Sequence, residues 1–161
     1  MGSNPSDTRS DSGRVGTLLI RVSHLSVHYG SQFTLEDVSL EVKAGECLVV
    51  TGLSGCGKST LARELTGLIP NVIPAEISGT VEVAGLDVST HTPAEISATV
   101  GMVFQDPSTH LFHLRVADEV AFGPLNLNLP PDEIQARVLW AMETLGLMDL
   151  ADRRPSDLSG G

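Results

Sequence analysis

Residues 52–60 constrain this chain more than any other segment, because they match the phosphate-binding pattern G-x-x-x-x-G-K-[ST]. Glycines in this pattern let successive backbone N–H groups turn inward around an anion. The apolar run at residues 46–51 predicts a buried strand before the motif. Leucines spaced i, i+4 and i+7 predict a helix over residues 59–68. A strand, a glycine-rich loop and a helix in this order predict a site for a nucleoside triphosphate.

The predicted site has a distinct role for several of its side chains. Lys58 supplies a mobile positive charge for the outer phosphates, and the Ser59 hydroxyl is the natural ligand of the accompanying Mg²⁺. The following helix points its positive end at the same phosphates. The alternative, a glycine-rich turn without a ligand, does not account for the strand and helix on either side. The predicted binding residues are Gly52, Leu53, Ser54, Gly55, Cys56, Gly57, Lys58, Ser59 and Thr60.

Composition narrows the possible partners. The chain has 161 residues, 41% of them hydrophobic, which fits one domain with an aliphatic α/β core. Its formal net charge of −10 repels nucleic acid and anionic lipid, so we expect neither as a partner. No uninterrupted apolar stretch reaches about 18 residues, so we expect no membrane span. Cys47 in the predicted strand and Cys56 in the loop suggest free thiols rather than a disulfide framework.

Hydrophobic periodicity predicts the remaining elements. Residues 1–16 are rich in Ser, Asp and Gly and predict a disordered tail. After Pro107 the sequence pattern becomes helical. The last predicted helix carries an apolar stripe of Ile134, Val138, Met142 and Leu145. Trp140 on the same helix is expected to pack against the rest of the protein. The predicted strands cover residues 17–29, 33–42 (as one or two strands), 81–85 and 100–104, and the predicted helices cover residues 93–98, 116–122 and 131–145.

This layout resembles the ATPase subunit of ATP-binding cassette (ABC) transporters over residues 17–161. Tyr29 stands where that family places an aromatic ring against adenine. Residues 103–107, Val-Phe-Gln-Asp-Pro, resemble its glutamine loop, which implies that Gln105 reaches Mg²⁺ and the attacking water. The resemblance implies that Lys58 and Gln105 serve catalysis of ATP hydrolysis. The start of the family's LSGGQ signature, which caps ATP, is matched by Leu158, Ser159, Gly160 and Gly161.

The resemblance implies a fold and a set of partners. The fold is an α/β P-loop NTPase of the ABC type, with an antiparallel β subdomain and a partly parallel core sheet in residues 17–105. A helical subdomain in residues 106–157 and the start of the signature in residues 158–161 follow. Two such ATPase subunits, identical or different, sandwich ATP and Mg²⁺ and drive transmembrane subunits. The implied location is the cytoplasmic face of the cell membrane.

A finer resemblance concerns residues 104–112 and 116–124. The second stretch, which contains Asp-Glu-Val-Ala-Phe-Gly-Pro, is similar to the energy-coupling-factor branch, which implies uptake of a vitamin or of cobalt or nickel ions. His110 departs from this branch, which often has Gln there. A metal site at His110 and His113 is not expected, because no further ligands cluster with them. Asp118 and Glu119 are expected to form a solvated helix start rather than an acid–base pair.

The sequence also differs from the family. Downstream of the signature the family carries an apolar strand ending in Asp-Glu and then a switch His, and this sequence stops before them. The resemblance therefore implies a fragment that lacks Walker B and the catalytic Glu and is inactive by itself. Two alternatives stay open: a short nucleotide-binding regulatory or interaction module that does not hydrolyse ATP, and a P-loop enzyme of another class, such as a small-molecule kinase.

Overall fold

The computed structural model describes residues 16–106 and 110–158. The chain divides into two compact units, with the boundary between Met102 and Val103. The predicted tail lies almost entirely outside the described residues. Within the described ranges, no helix combines the length and the apolar character needed to cross a bilayer.

The first unit is built on a four-stranded antiparallel sheet in the order β2-β1-β3-β4. The predicted strand at residues 17–29 is confirmed as β1, and residues 33–42 form one strand rather than two. The predicted strand at residues 81–85 overlaps the end of a longer strand, which stops at Val83 and is followed by a turn at residues 84–85. The four strands are β1 Leu18–Tyr29, β2 Gln32–Lys43, β3 Glu76–Val83 and β4 Leu86–Asp87.

A bulge in β1 explains why the apolar residues of this strand do not alternate perfectly. The pairing register shifts between Val22 and Leu25, and His24 adopts a left-handed φ of 52°. The extra residue returns Leu25 to the buried face, as bulges do. Gly79 faces this bulge from β3, and a Cβ there would overlap the His24 carbonyl, so the close approach requires glycine.

Three helices lie in the part of the first unit that the structure describes: α1 Lys58–Leu65, α2 Leu68–Asn71 and α3 Pro93–Ser97. The helix predicted over residues 59–68 is thus divided, and Gly67 between α1 and α2 has a left-handed φ of 70°. The predicted helix at residues 93–98 is confirmed; a capping box between Thr92 and Glu95 begins it. The buried core of this unit consists of Val22, Leu25, Val27, Leu35, Leu61, Ile69, Val81, Val83, Val88 and Ile96.

Two predicted buried strands are wrong. Residues 46–51 and 100–104 belong to no strand, and Val49 and Val103 are 74% and 85% exposed. Cys47 is exposed as well. An extended apolar segment becomes a strand only when a neighbour takes up its N–H and C=O groups, and the described residues provide no such neighbour here. The parallel part of the expected core sheet is accordingly absent from the described residues.

The described residues of the second unit form two helices, α4 Val116–Asn126 and α5 Pro131–Thr144, and short 3-10 turns at Met148–Leu150 and Pro155–Asp157. Both predicted helices are confirmed, although α4 continues through Pro124 for four residues beyond its predicted end. No side chain caps α4; instead the Val116 and Ala117 amides donate to the carbonyls of Arg153 and Ala151, at 2.9 and 3.0 Å. These bonds tie α4 to the segment that follows α5.

Candidate phosphate-binding site

The glycine-rich loop passes directly into α1 through a residue that must be glycine. Gly57, the N-cap of α1, has a left-handed φ of 94° and is buried. A Cβ on Gly57 would lie 2.6 Å from the Thr34 carbonyl oxygen and 2.5 Å from the Leu35 side chain. The loop backbone therefore rests against β2. This close packing fixes the start of α1 relative to the sheet.

The beginning of α1 is suited to an anion. The first amides of a helix have no intrahelical partner, and the helix dipole makes that end positive. The first turn of α1 contains no acidic residue, and Gly57 offers no side-chain cap. Ser59 at this end is exposed, whereas Thr60 is buried. The Ser59 hydroxyl is thus accessible to a ligand, while Thr60 contributes to packing.

Lys58 folds its side chain back over the loop. Its ammonium donates to the carbonyl oxygens of Gly52 and Leu53, at 2.9 and 2.7 Å. It also lies 3.5 Å from the Cys56 Sγ. A cation held against the inner carbonyls of the loop places positive charge where the outer phosphates are expected to bind.

Cys56 has a more constrained position than the sequence suggests. Besides its contact with Lys58, its sulfur lies so close to Gly52 that a Cβ on Gly52 would meet it at 2.8 Å. The side chain is exposed towards solvent. Its size therefore influences the shape of the loop.

A cavity of about 190 Å³ lies beside the loop, and its lining is mostly apolar. It is formed by Leu35, Val38, Leu40, Val50, Thr51, Cys56, Gly57, Lys58 and Leu61. A triphosphate loses its hydration in such a space without gaining enough polar partners. The cavity is thus unsuitable for phosphate, and the amide side of the loop is the part of the site that fits an anion.

The remaining predicted binding residues lie outside the glycine-rich loop and α1. Tyr29 ends β1 and packs partly against the core, and its buried hydroxyl has no hydrogen-bond partner among the described residues. Gln105 is exposed at a bend in the second unit. Leu158 is half-buried after the last 3-10 turn, whereas Ser159, Gly160 and Gly161 lie outside the described residues. The roles of all these residues stay predictions.

The two histidines of the second unit have separate structural partners. His110 stacks on Phe104, with ring centroids 4.1 Å apart, and its Nδ1 lies 3.1 Å from the Asp106 carbonyl oxygen. His113 Nδ1 lies 3.0 Å from Glu119. Across residues 16–106 and 110–158, no group of three or more His, Cys, Asp or Glu side chains is arranged to hold a metal ion.

Glu119 differs from the solvated residue that the sequence predicts. Its side chain is only 16% exposed, and one carboxylate oxygen accepts hydrogen bonds from the amides of Phe112 and His113, at 3.1 and 2.9 Å. Partial burial acts to raise its pKa, but the hydrogen bonds from His113 and Phe112 outweigh it, so the net pKa is lowered. Glu119 therefore ties the segment before α4 to that helix. Asp118 is exposed and pairs with Arg115, as expected of a helix start.

Glu64 was not identified from the sequence as a buried carboxylate. This residue of α1 is 4% exposed, and its Oε2 has no hydrogen-bond partner within the described part of the chain. Burial raises the pKa of Glu64 to about 7. A signal was present, because Glu64 follows the buried Leu61 by three residues and thus lies on the same helix face.

Comparisons with known proteins identify the family of the chain. The family model described as ABC transporter matches residues 35–161. An ABC transporter ATP-binding protein of Pyrococcus abyssi is 43% identical over 145 residues, which cover 89% of this chain and 52% of that protein. The energy-coupling factor transporter ATP-binding protein EcfA1 of Lacticaseibacillus paracasei is 46% identical over 145 residues, covering 89% and 50%. The chain thus spans about half the length of these curated relatives.

Solved structures agree as well. The structure of cbiO1 from Clostridium perfringens, described as part of the ABC transporter complex cbiONQ, matches with a TM-score of 0.74 and 31% identity, over 89% of this chain and 56% of that one. A nucleotide-free ATP-binding cassette from an ABC transporter matches with a TM-score of 0.69 and 27% identity, over 89% of this chain and 60% of that one. These matches confirm the predicted α/β fold class.

Proposed function

The chain belongs to the ABC transporter family, and from this premise we propose that residues 52–60 bind ATP with Mg²⁺ to power a membrane transporter. One observation carries the proposal: the loop joins a left-handed Gly57, an ammonium held against the loop carbonyls, and the positive end of α1. These three features offer amides, a cation and a dipole to the same anion.

In this proposal each residue acts on a separate part of the ligand. Lys58 exchanges its bonds to the Gly52 and Leu53 carbonyls for bonds to phosphate oxygens, and so balances the charge that develops during phosphoryl transfer. Ser59 and Gln105 would hold Mg²⁺, which supplies further charge stabilisation, and Gln105 would orient the attacking water. Tyr29 would stack on adenine. Positioning and charge account for most of the catalysis of this reaction.

The partners and the cargo are part of the same proposal. Residues 158–161 would cap a nucleotide bound to a second ABC ATPase subunit, identical or related. Transmembrane subunits would hold the pair at the cytoplasmic face of the cell membrane. The relative named energy-coupling factor transporter ATP-binding protein EcfA1 supports an energy-coupling-factor type of transporter. Within this proposal the cargo is a vitamin or cobalt or nickel ions.

Calorimetric titration of the purified chain with MgATP tests the proposal. The chain contains two lysines, Lys58 in the loop and Lys43 at the end of β2, so Lys43→Ala removes the same charge away from the site. We expect Lys58→Ala to weaken binding by about 10- to 100-fold, because a charge-assisted hydrogen bond contributes about 1.5–3 kcal/mol. Lys43→Ala is expected to bind as the parent chain does.

Two results would contradict the proposal. One is the absence of any MgATP affinity in a chain whose circular dichroism shows a folded protein. The other is an equal loss of affinity in both lysine variants, which would indicate general electrostatic attraction instead of a built site. Either result would leave the family membership intact and remove the assignment of the loop.

A further inference from the structure

The outer face of α5 exposes two large apolar side chains. Leu139 is 41% exposed and Trp140 is 68% exposed, whereas Met142, which lies on the opposite side of the helix from Trp140, is 3% exposed. Ala136 is exposed as well, and it lies three and four residues before the other two. Residues at this spacing share one side of a helix. The sequence predicts that Trp140 packs inside the unit, and this prediction is wrong, because Trp140 faces solvent.

Acidic side chains surround this apolar strip. Asp132 precedes Ala136 by four residues, and Glu143 follows Leu139 and Trp140 by four and three, so both carboxylates belong to the same face. The helix carries three carboxylates and one guanidinium, and that guanidinium, on Arg137, binds Glu133 at 2.6 Å. The outer face is thus apolar at its centre and negatively charged at both ends.

We propose that this outer face of α5, defined by Asp132, Ala136, Leu139, Trp140 and Glu143, binds a basic amphipathic helix of a partner protein. The apolar side of such a helix would cover Leu139 and Trp140. Its lysine or arginine side chains would reach Asp132 and Glu143, and a cation over the indole ring adds a favourable contact. The proposal concerns a surface of the second unit and does not depend on nucleotide binding by residues 52–60.

The charge of this face favours a basic helix over nucleic acid, anionic lipid or a second copy of the chain. Nucleic acid and anionic lipid are repelled by the carboxylates of this face. A second copy packed antiparallel on α5 would bring Asp132 of one copy towards Glu143 of the other, which places like charges together. A basic helix is the occupant that satisfies both the apolar strip and the charge at its ends.

The test uses fluorescently labelled model peptides and the whole chain. A Leu/Lys peptide with amphipathic helical spacing is titrated with the protein, and a Leu/Glu peptide of the same spacing serves as its charge-reversed counterpart. Fluorescence anisotropy reports binding, and the emission of Trp140, the single tryptophan of the chain, reports whether this face is covered. We expect binding of the Leu/Lys peptide with a blue shift of Trp140, and no binding of the Leu/Glu peptide.

Variants locate the binding surface. Leu139→Gln combined with Trp140→Gln is expected to weaken binding of the Leu/Lys peptide by about tenfold or more, since aromatic side chains that become buried in an interface contribute most of its binding energy. Leu19→Gln is the matched control, because Leu19 is also 41% exposed but lies on β1. All three positions are exposed, so circular dichroism of the variants is expected to match the parent chain.

A second pair of variants tests charge. Asp132→Asn with Glu143→Gln removes two negative charges from the face, and Glu36→Gln with Glu76→Gln removes two from exposed positions on β2 and β3. We expect the first pair to weaken binding several-fold and to flatten its salt dependence, and the second pair to change little.

Several outcomes would overturn the proposal. Equal losses in the face variants and their controls would show that the peptide recognises net charge alone. Concentration-dependent dimers in sedimentation velocity that disappear with Trp140→Gln would assign the face to a second copy. A blue shift of Trp140 with phosphatidylcholine vesicles and none with the Leu/Lys peptide would assign it to lipid.

Discussion

The two units of this chain are stabilised in different ways. Among its described residues, the first unit encloses ten buried hydrophobic side chains between its sheet and helices. Among the described residues of the second unit, only Val116 and Met142 are buried hydrophobics. The second unit instead relies on backbone hydrogen bonds from α4 to residues 151–153 and on the carboxylate of Glu119. The comparison teaches that the glycine-rich loop rests on an apolar core, whereas the helices after it are held mainly by polar contacts.

The same contrast appears in the two carboxylates that are withdrawn from solvent. Glu64 in the first unit has an unpaired Oε2, and burial raises its pKa to about 7. Glu119 in the second unit is also partly buried, which acts to raise its pKa, but its hydrogen bonds lower it overall. Burial thus opposes the ionised form at Glu64, and hydrogen bonding favours it at Glu119.

The largest expected effect comes from truncating the apolar core. Leu25→Ala removes a fully buried side chain from the centre of the sheet and is expected to cost about 4 kcal/mol of unfolding free energy. Met142→Ala removes a buried side chain from α5, in a unit whose described residues include only one other buried hydrophobic, and is expected to cost about 2 kcal/mol. Urea denaturation followed by circular dichroism measures both changes.

Leu19→Ala is the control for this pair, since Leu19 lies on the same strand as Leu25 but is 41% exposed. It is expected to change stability by no more than about 0.5 kcal/mol. If Met142→Ala proved as costly as Leu25→Ala, the second unit would possess an apolar core comparable to the first, and the comparison between the units would be wrong.

The next effect concerns Glu64 and depends on pH. The folded chain binds this proton more tightly than the unfolded chain, in which the pKa of Glu64 is 4.5. The contribution of Glu64 to stability is therefore greatest below pH 4.5 and falls as pH rises towards about 7. Glu64→Gln removes that loss and is expected to stabilise the chain above pH 7, by up to about 3 kcal/mol. Near pH 4 the variant and the parent are expected to be equally stable.

Denaturation midpoints between pH 4 and pH 8 measure this difference. Glu36→Gln, an exposed change on β2, is the matched control and should leave the pH dependence of the parent chain unchanged. A Glu64→Gln variant with the parent's pH dependence would show that Glu64 finds a compensating partner in solution, and the contrast with Glu119 would then disappear.

The sequence predicted the parts of this molecule that depend on local pattern. The strand at residues 17–29, the helix that follows the glycine loop and the helix at residues 131–145 follow from periodicity, and local glycine chemistry indicated the loop itself. The sequence-based prediction of strands failed at residues 46–51 and 100–104. An apolar run indicates residues that favour burial, but it does not reveal whether a neighbouring strand is present to pair with them.

The errors at single residues have a similar cause. Glu119 appeared solvated because its partners, the amides of Phe112 and His113, are backbone groups that leave no trace in a sequence pattern. Trp140 appeared buried because large apolar residues are usually inside, and helical spacing alone placed it opposite Met142. Periodicity was thus a better guide than residue type at Trp140 and at Glu64.

The smallest expected effect concerns Glu119. Because its pKa is lowered in the folded chain, the stability it contributes is present above its unfolded pKa of 4.5 and is lost as pH falls through the lower folded value. Glu119→Gln keeps an oxygen that can accept the amide hydrogen bonds but removes its charge, so we expect a loss of about 1 kcal/mol at pH 7. At pH values below the folded pKa the parent and the variant should be equally stable.

Hydrogen exchange measured residue by residue separates this local effect from global destabilisation. The amides of Phe112 and His113 should exchange faster in Glu119→Gln, because they donate to that carboxylate, while amides of β1 should keep their protection. Asp118→Asn, which alters an exposed pair with Arg115 in the same turn of α4, should leave both amides unchanged. If Asp118→Asn accelerated them as much as Glu119→Gln, general charge at the start of α4, and not the hydrogen bonds of Glu119, would hold this segment in place.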